Sequence, residues 1–135
     1  MPNLIVLDSS ILIDDLRTGC HADRILALDG VLRNSSVVLA ELWRGALNRA
    51  DRTLLVELER DHPTLTPTTN NWLDSGQILA RMQSDKGFEP RKLRDLHFDV
   101  LIALTVRTHG AILITSNQAD FDLIRSYRNF NLEVW

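Results

Sequence analysis

Two short, unbroken apolar runs, NLIVL at residues 3–7 and AILIT at residues 111–115, constrain this chain more than any other feature. Neither alternates apolar with polar residues, so a strand built from either must be covered on both faces. Each is followed at once by polar residues suited to starting a helix: Asp8-Ser9-Ser10 after the first, Ser116-Asn117 after the second. A buried strand that leads directly into a helix is the repeating unit of a parallel sheet, since parallel neighbours need long crossovers and each apolar face needs a cover.

The segments between the two runs fit that pattern. ILIDDLR and HADRILALD read as helices, the second stopped by Gly30. SSVVLAELWRGALNRA has a serine cap and apolar positions at helical spacing, which predicts Val38, Leu42 and Leu47 facing inward. Residues 51–61 continue as a charged amphipathic helix, and HPTLTPTT, between Pro63 and Pro67, suits a short strand. NNWLDSGQILARMQSDKG is helical up to Gly87 and Pro90, and LRDLHFDVLIALTVRTHG is helical up to Gly110. After AILIT, NQADFDLIRSY reads as a helix capped by Asn117 or Ser116, and LEV as a final strand. The expectation is one α/β domain over residues 1–135, with a central parallel sheet of four to five short strands and helices on both faces. In such sheets ligands are met at the carboxyl ends of the strands.

Composition narrows the chemistry. Asp8 interrupts the first apolar run after Leu4 to Leu7 and no basic flank precedes it, so neither a signal peptide nor a membrane span fits, and a soluble cytoplasmic protein is expected. Cys20 is the single cysteine, and His21, His62, His97 and His109 lack the paired spacing of a zinc site, so any metal should be held by oxygen. The net charge of −3 would not draw in nucleic acid as a strongly basic chain does. However, 13 of the 15 basic residues are arginine, whose planar fork suits phosphate, so an arginine-lined groove can coexist with an acidic centre.

The acids then carry the argument. Asp8 stands where the first strand ends, as a helix cap or as a residue meeting a ligand. Glu41 follows Leu39-Ala40; it either pairs with Arg44 at the surface or points into a cleft where something positive offsets its desolvation. Asp95 and Asp99 lie four apart on one helix face, which disfavours the helix unless a cap or a cation accounts for it. In the plain reading Asp95 caps the helix and Asp99 pairs with Arg91, Lys92 or Arg94; in the other, Asp99 is a buried metal ligand. Asp120 and Asp122 fall in the first turns after AILIT, where acids also complement the helix dipole. The segments carrying Asp8, Asp99 and Asn117/Asp120 border the first strand, the fourth, or the helix between them. Carboxylates gathered at one strand edge repel one another unless a hard divalent cation, Mg²⁺ or Mn²⁺, binds them.

LIVLDSSILIDDLR, VVLAELWRGA, DVLIAL and ILITSNQADF resemble, in order and spacing, the four acidic segments of PIN-domain ribonucleases, most nearly VapC-type toxins. The resemblance spans essentially the whole chain and implies a three-layer α/β/α fold. It implies that Asp8, Glu41, Asp99 and Asp120 form an acidic pocket for one or two Mg²⁺ or Mn²⁺ ions, with Asp8, Asp99 and Asp120 as metal ligands. Ser9, Ser10, Thr115 and Asn117 look like supporting polar residues. It further implies cleavage of single-stranded or looped RNA, a homodimer, and a small antitoxin that wraps the groove and places a basic side chain among the carboxylates. Arg17, Arg44 and the Arg91-Lys92-Arg94 cluster are candidate RNA contacts, although exposed arginines are commonly just solvated. Trp43, Trp72 and Trp135 are candidate interface anchors, with a core or packing role preferred for Trp43 and Trp72.

The chain departs from the family pattern at Leu104 and Val106, where small residues are usual, and at Ser116, where a basic residue is usual. Some relatives carry the fourth acid at the position of Asn117; Asp120 is the choice here. A haloacid-dehalogenase-like phosphotransferase also begins with an aspartate after its first strand, but it needs a second acid where Ser10 stands and a caging lysine, and only Lys86 and Lys92 exist. A response-regulator receiver fails similarly. A PIN-like module that binds RNA or protein without cleaving is the alternative from a different class.

Overall fold

The computed structural model describes residues 2–135. Its elements run β1 (Leu4–Leu7), α1 (Ser9–Thr18), α2 (Ala22–Leu26), β2 (Val31–Ser35), α3 (Ser36–Arg44), α4 (Arg49–Asp61), β3 (Thr64–Leu65), α5 (Thr69–Lys86), α6 (Pro90–His109), β4 (Ile112–Thr115), α7 (Gln118–Tyr127) and β5 (Asn131–Val134). The five strands form one sheet in the order β3-β2-β1-β4-β5, and every neighbouring pair is parallel. The order turns back at β1, so β1 and β4 lie side by side although more than a hundred residues separate them; Ile5, Val6 and Leu7 register with Ile112, Leu113 and Ile114.

Both faces of β1 are covered, which is why its sequence does not alternate. Val6 joins a large core with α3 to α7, while Ile5 and Leu7 join a smaller one with Ile11, Ile25 and Leu28 from the α1–α2 side. Leu113 and Ile114 of β4 divide between the same two cores. α6 is the spine of the larger core, with Leu96 and every residue from Val100 to Val106 buried. Leu104 and Val106, where the family pattern favours small residues, are therefore filled core positions.

Local chemistry accounts for the helix ends. Thr68 and Asn71 form a reciprocal capping box at the start of α5, and Gly87 and Gly110 end α5 and α6 in the left-handed conformation. Pro90 does not end α5; it occupies the first turn of α6, where its missing N–H has no partner to lose. That start places Asp95 inside α6 rather than at its cap.

Several expectations are corrected. β2 was not anticipated, because VLRNS has only two apolar residues and reads as a polar lead-in to α3. The segment predicted as one helix through residue 50 breaks after Arg44, and Asn48 caps α4 with its side chain on the Asp51 N–H at 2.9 Å. Leu47 falls in that break and is 86% exposed, whereas Val38 and Leu42 are buried. The helix expected over HADRILALD is only the short α2, and the strand in HPTLTPTT has two residues. Trp43 and Trp72 are on the surface, while Trp135 is the tryptophan that packs against the smaller core. Among the described residues no helix is long and apolar enough to cross a membrane.

The approach of β2 to β1 is tight at its entry. Val31 donates to the Asn3 carbonyl at 2.8 Å, and a Cβ on Gly30 would lie 2.6 Å from that same oxygen and 2.7 Å from Ile5 Cδ1. Gly30→Ala should therefore lower stability by roughly 1–3 kcal/mol, because the strand must shift away from its partner. Urea unfolding followed by circular dichroism checks this; an unchanged midpoint would mean that the β2 entry is free to move.

Candidate active site

The carboxyl ends of β1 and β4 present Asp8 and Thr115 next to one another. The Asp8 amide continues the ladder by donating to the Ile114 carbonyl at 2.9 Å, which fixes the residue against β4. Asp8 holds the N-cap position of α1, but its side chain caps nothing. It turns instead to the neighbouring strand end, where its Oδ2 accepts from the Thr115 hydroxyl at 2.7 Å and the Ser10 hydroxyl at 3.1 Å. Asp8 is 4% exposed, so these two bonds substitute for water around a nearly buried carboxylate. Thr115 Oγ1 also accepts from the Asn117 amide at 3.0 Å, and Ser10 Oγ accepts from the Ser116 amide at 3.2 Å. Ser10, Thr115 and Asn117 thus tie the two strand ends into one polar unit.

Three further acids border this unit. Glu41 is on the second turn of α3; its Oε1 is buried and has no hydrogen-bond partner. Burial, and then the charge of Asp8, push its carboxyl up to about 7, with Arg44 and the Ser9 hydroxyl offsetting part of the effect. Asp99 lies midway along α6, and no hydrogen bond or ion pair to its carboxylate is found among the described residues. Burial, followed by the charges of Asp8, Glu41 and Asp120, pushes it up to about 8, with Lys92 acting in the opposite direction. Asp120, in the first turn of α7, is differently placed: Lys92 Nζ lies 3.2 Å from its Oδ1 and Asn117 Nδ2 donates to its Oδ2 at 3.3 Å. The structure therefore brings Asp8, Glu41 and Asp120 into the field of Asp99, and Asp8 into that of Glu41. As the side chains stand, no three Asp, Glu, His or Cys among the described residues are gathered closely enough to cage a metal ion.

The basic residues separate into groups. The plain pairing of Asp99 with Arg91, Lys92 or Arg94 is not formed; Lys92 pairs with Asp120 instead, and Arg91 and Arg94 are exposed and outside any ion pair found among the described residues. Arg44 stands beside Glu41 with its guanidinium 6.0 Å from the Phe98 ring centre. Arg17 lines a cleft of about 150 Å³ between α1, α3 and α4, together with Glu41 and the apolar side chains of Ile13, Leu16, Leu42 and Leu55. The break in the chain after Arg44 opens this cleft, since Gly45 and Ala46 also border it. Lys92, which the sequence offered as a partner of Asp99 and as part of a basic cluster, contacts Asp120 instead. Its spacing of seven residues from Asp99, two helical turns on one face, was the available signal.

The donors fit a hard divalent cation. They are oxygens throughout, the carboxyl groups of Glu41 and Asp99 are pushed toward protonation by burial and then by the neighbouring acids, and Glu41 Oε1 is an orphaned buried acceptor. A site with no positive occupant would not tolerate all four acids charged.

A model of the PIN domain matches residues 5–126, and the chain belongs to that family. Among solved structures, a chain of VapBC2 from Rickettsia felis, bound to a DNA fragment from its promoter, superposes with a TM-score of 0.72 at 21% identity, covering 98% of both chains. A chain of DNA-bound VapBC from Salmonella typhimurium gives 0.72 at 23% identity over 100% of this chain and 99% of the other. A member of the VapBC family of toxin-antitoxin systems from Mycobacterium tuberculosis, VapBC-5, gives 0.61 at 25% identity over 98% of both. Comparison with curated proteins finds no significant match.

The raised carboxyls fix a sign for the dependence of stability on pH. An acid whose folded-state pKa exceeds its unfolded value costs stability progressively as the unfolded chain ionises while the folded group stays protonated, so for Asp99 the penalty is nearly absent near pH 4 and complete above about pH 8. Asp99→Asn should raise stability by roughly 1–3 kcal/mol at pH 8 and leave it nearly unchanged at pH 4. Thermal unfolding of both proteins in EDTA across that range would show the difference growing with pH; a constant difference would place the effect outside ionisation.

Proposed function

We propose that this chain is a divalent-cation-dependent endoribonuclease, the toxin half of a toxin-antitoxin pair. The observation that carries the reading is the convergence of Asp8, Glu41 and Asp120 on Asp99 at the carboxyl edge of β1 and β4, with burial and then these charges pushing the carboxyls of Glu41 and Asp99 toward protonation. Asp8, Asp99 and Asp120 would hold Mg²⁺ or Mn²⁺. The chemistry such an ion would supply there is polarisation of the scissile phosphate and acidification of a water. Thr115 and Ser10, both donating to Asp8 Oδ2, leave its Oδ1 free and orient it. Glu41, through its unpartnered Oε1, would take the proton as the water oxygen bonds to phosphorus and the bond from phosphorus to the ribose oxygen breaks, the departing oxygen taking a proton from solvent.

RNA in single-stranded or looped form is the expected substrate, because an unpaired strand can splay its backbone toward the acids in a way that duplex geometry would withhold. Arg17 and Arg44 flank the pocket and are the phosphate contacts we favour, with Arg91 and Arg94 farther along α6. The cleft beside Glu41, apolar on its walls with Asp51 at its rim, suits an apolar segment of an antitoxin carrying a basic side chain. A homodimer is part of the same reading; Trp72 and Leu73, exposed side by side on α5, are apolar surface for such contacts. The site of action would be the cytoplasm, where RNA and antitoxin are met.

Purified protein should cut a mixed single-stranded RNA in Mg²⁺ or Mn²⁺, and EDTA should abolish cutting. Asp8→Asn should reduce it by on the order of a hundredfold or more. Gel analysis of end-labelled RNA reads all three. Ion binding without cutting of any RNA tested, or cutting that survives EDTA, would overturn the reading, and RNA binding without cutting would favour a binding module.

A further inference from the structure

Asp120 differs from the other three acids in that both of its oxygens are already engaged: Lys92 Nζ is 3.2 Å from Oδ1 and Asn117 Nδ2 is 3.3 Å from Oδ2. Asp8 uses only Oδ2, Glu41 keeps Oε1 unpartnered, and the Asp99 carboxylate has no partner found among the described residues. A cation drawing on Asp120 would therefore have to share its oxygens with groups already there, and the Lys92 ammonium would repel it. Lys92 is also two turns from Asp99 on α6, and its charge acts on Asp99 as well.

We propose that Lys92 is a resident counter-ion of the acidic pocket, a positioning residue that holds Asp120 and competes with a divalent cation for it. This rests on the reading of the four acids as a cation site. The pair is suited to exchange. Its side chains are 43% and 29% exposed, so the ammonium can withdraw into water at little cost, which a fully buried bridge would forbid. The residue type points the same way. In a chain with thirteen arginines and two lysines, the cation touching the pocket acids is a lysine, a compact charge making one contact, where an arginine fork would grip both carboxylate oxygens. Arg91 and Arg94, on either side of Lys92 in RKLR, make no comparable contact. Ion binding then becomes a replacement of one positive charge by two, and the ease of removing Lys92 sets the cation concentration at which the pocket fills.

The test is calorimetric titration of the whole protein with Mn²⁺, using wild type, K92Q, K92R, D120N and the K92Q/D120N double variant, with thermal unfolding in EDTA to verify that each folds. K92Q should bind Mn²⁺ about three- to tenfold more tightly than wild type, since a competing charge a few ångströms away is gone. K92R should bind no more tightly than wild type, and the gain from K92Q should shrink in the D120N background. An equal gain in both backgrounds would reduce Lys92 to a diffuse field effect and overturn the proposal. Unchanged or weaker binding by K92Q would overturn it as well. No Mn²⁺ binding by wild type would sink the cation-site reading along with it, whereas binding that K92Q leaves untouched would sink the exchange alone.

Discussion

The pairing of β1 with β4 is the contact on which the site depends. It joins residues more than a hundred apart, and its last rung, the Asp8 amide on the Ile114 carbonyl, delivers the Thr115 hydroxyl to the Asp8 carboxylate. A shift of one residue in this register would turn Val6 toward the smaller core and Asp8 away from Thr115, so the same apolar packing that closes the sheet also aligns the polar unit. The register is protected because both faces of both strands are buried against different helices.

α6 supplies the opposing condition. It is the most deeply buried helix, yet Asp99 sits within it, and burial among the surrounding residues, followed by the charges of the nearby acids, raises its carboxyl to about 8. A chain selected for stability alone would not retain it, because an amide there would avoid the repulsion. Such a departure from local consistency is the kind expected where chemistry is performed. The neighbouring core residues, including Leu104 and Val106, give α6 the packing to withstand the strain.

What was legible in the sequence follows from how locally each feature is determined. β1 and β4 were readable because two-sided burial leaves a continuous apolar run, and α5 and α6 because their apolar spacing is long and their ends carry glycines in the left-handed conformation. β2 was not, since an Arg and an Asn interrupt it and its status as a strand comes from the neighbours on either side. Leu47 obeyed the helical spacing but fell in a break that depends on the Asn48 cap. For the acids, Asp8 and Asp120 stood out by following apolar runs and Asp99 by its conflict with Asp95, while Glu41 was inconspicuous without the family resemblance. The Lys92–Asp120 pair bridges 28 residues and two helices, a juxtaposition that no local pattern encodes.

The side chain of Asp8 leaves the start of α1 without a cap, and that has an electrostatic consequence. In a parallel sheet the helices that follow the strands begin at the same edge, and here α1 starts directly after Asp8, α3 directly after β2, and α7 three residues beyond Thr115. Each contributes a partial positive charge at its first turn, α1 and α7 without any side-chain cap and α3 with the Val38 amide bonded to Ser35. The acidic edge is thus ringed by three dipole ends that cannot diffuse away, cannot be titrated and are unaffected by the exchange of small ions. The backbone itself sets a fixed background potential, against which the mobile charges of the pocket only trim the balance.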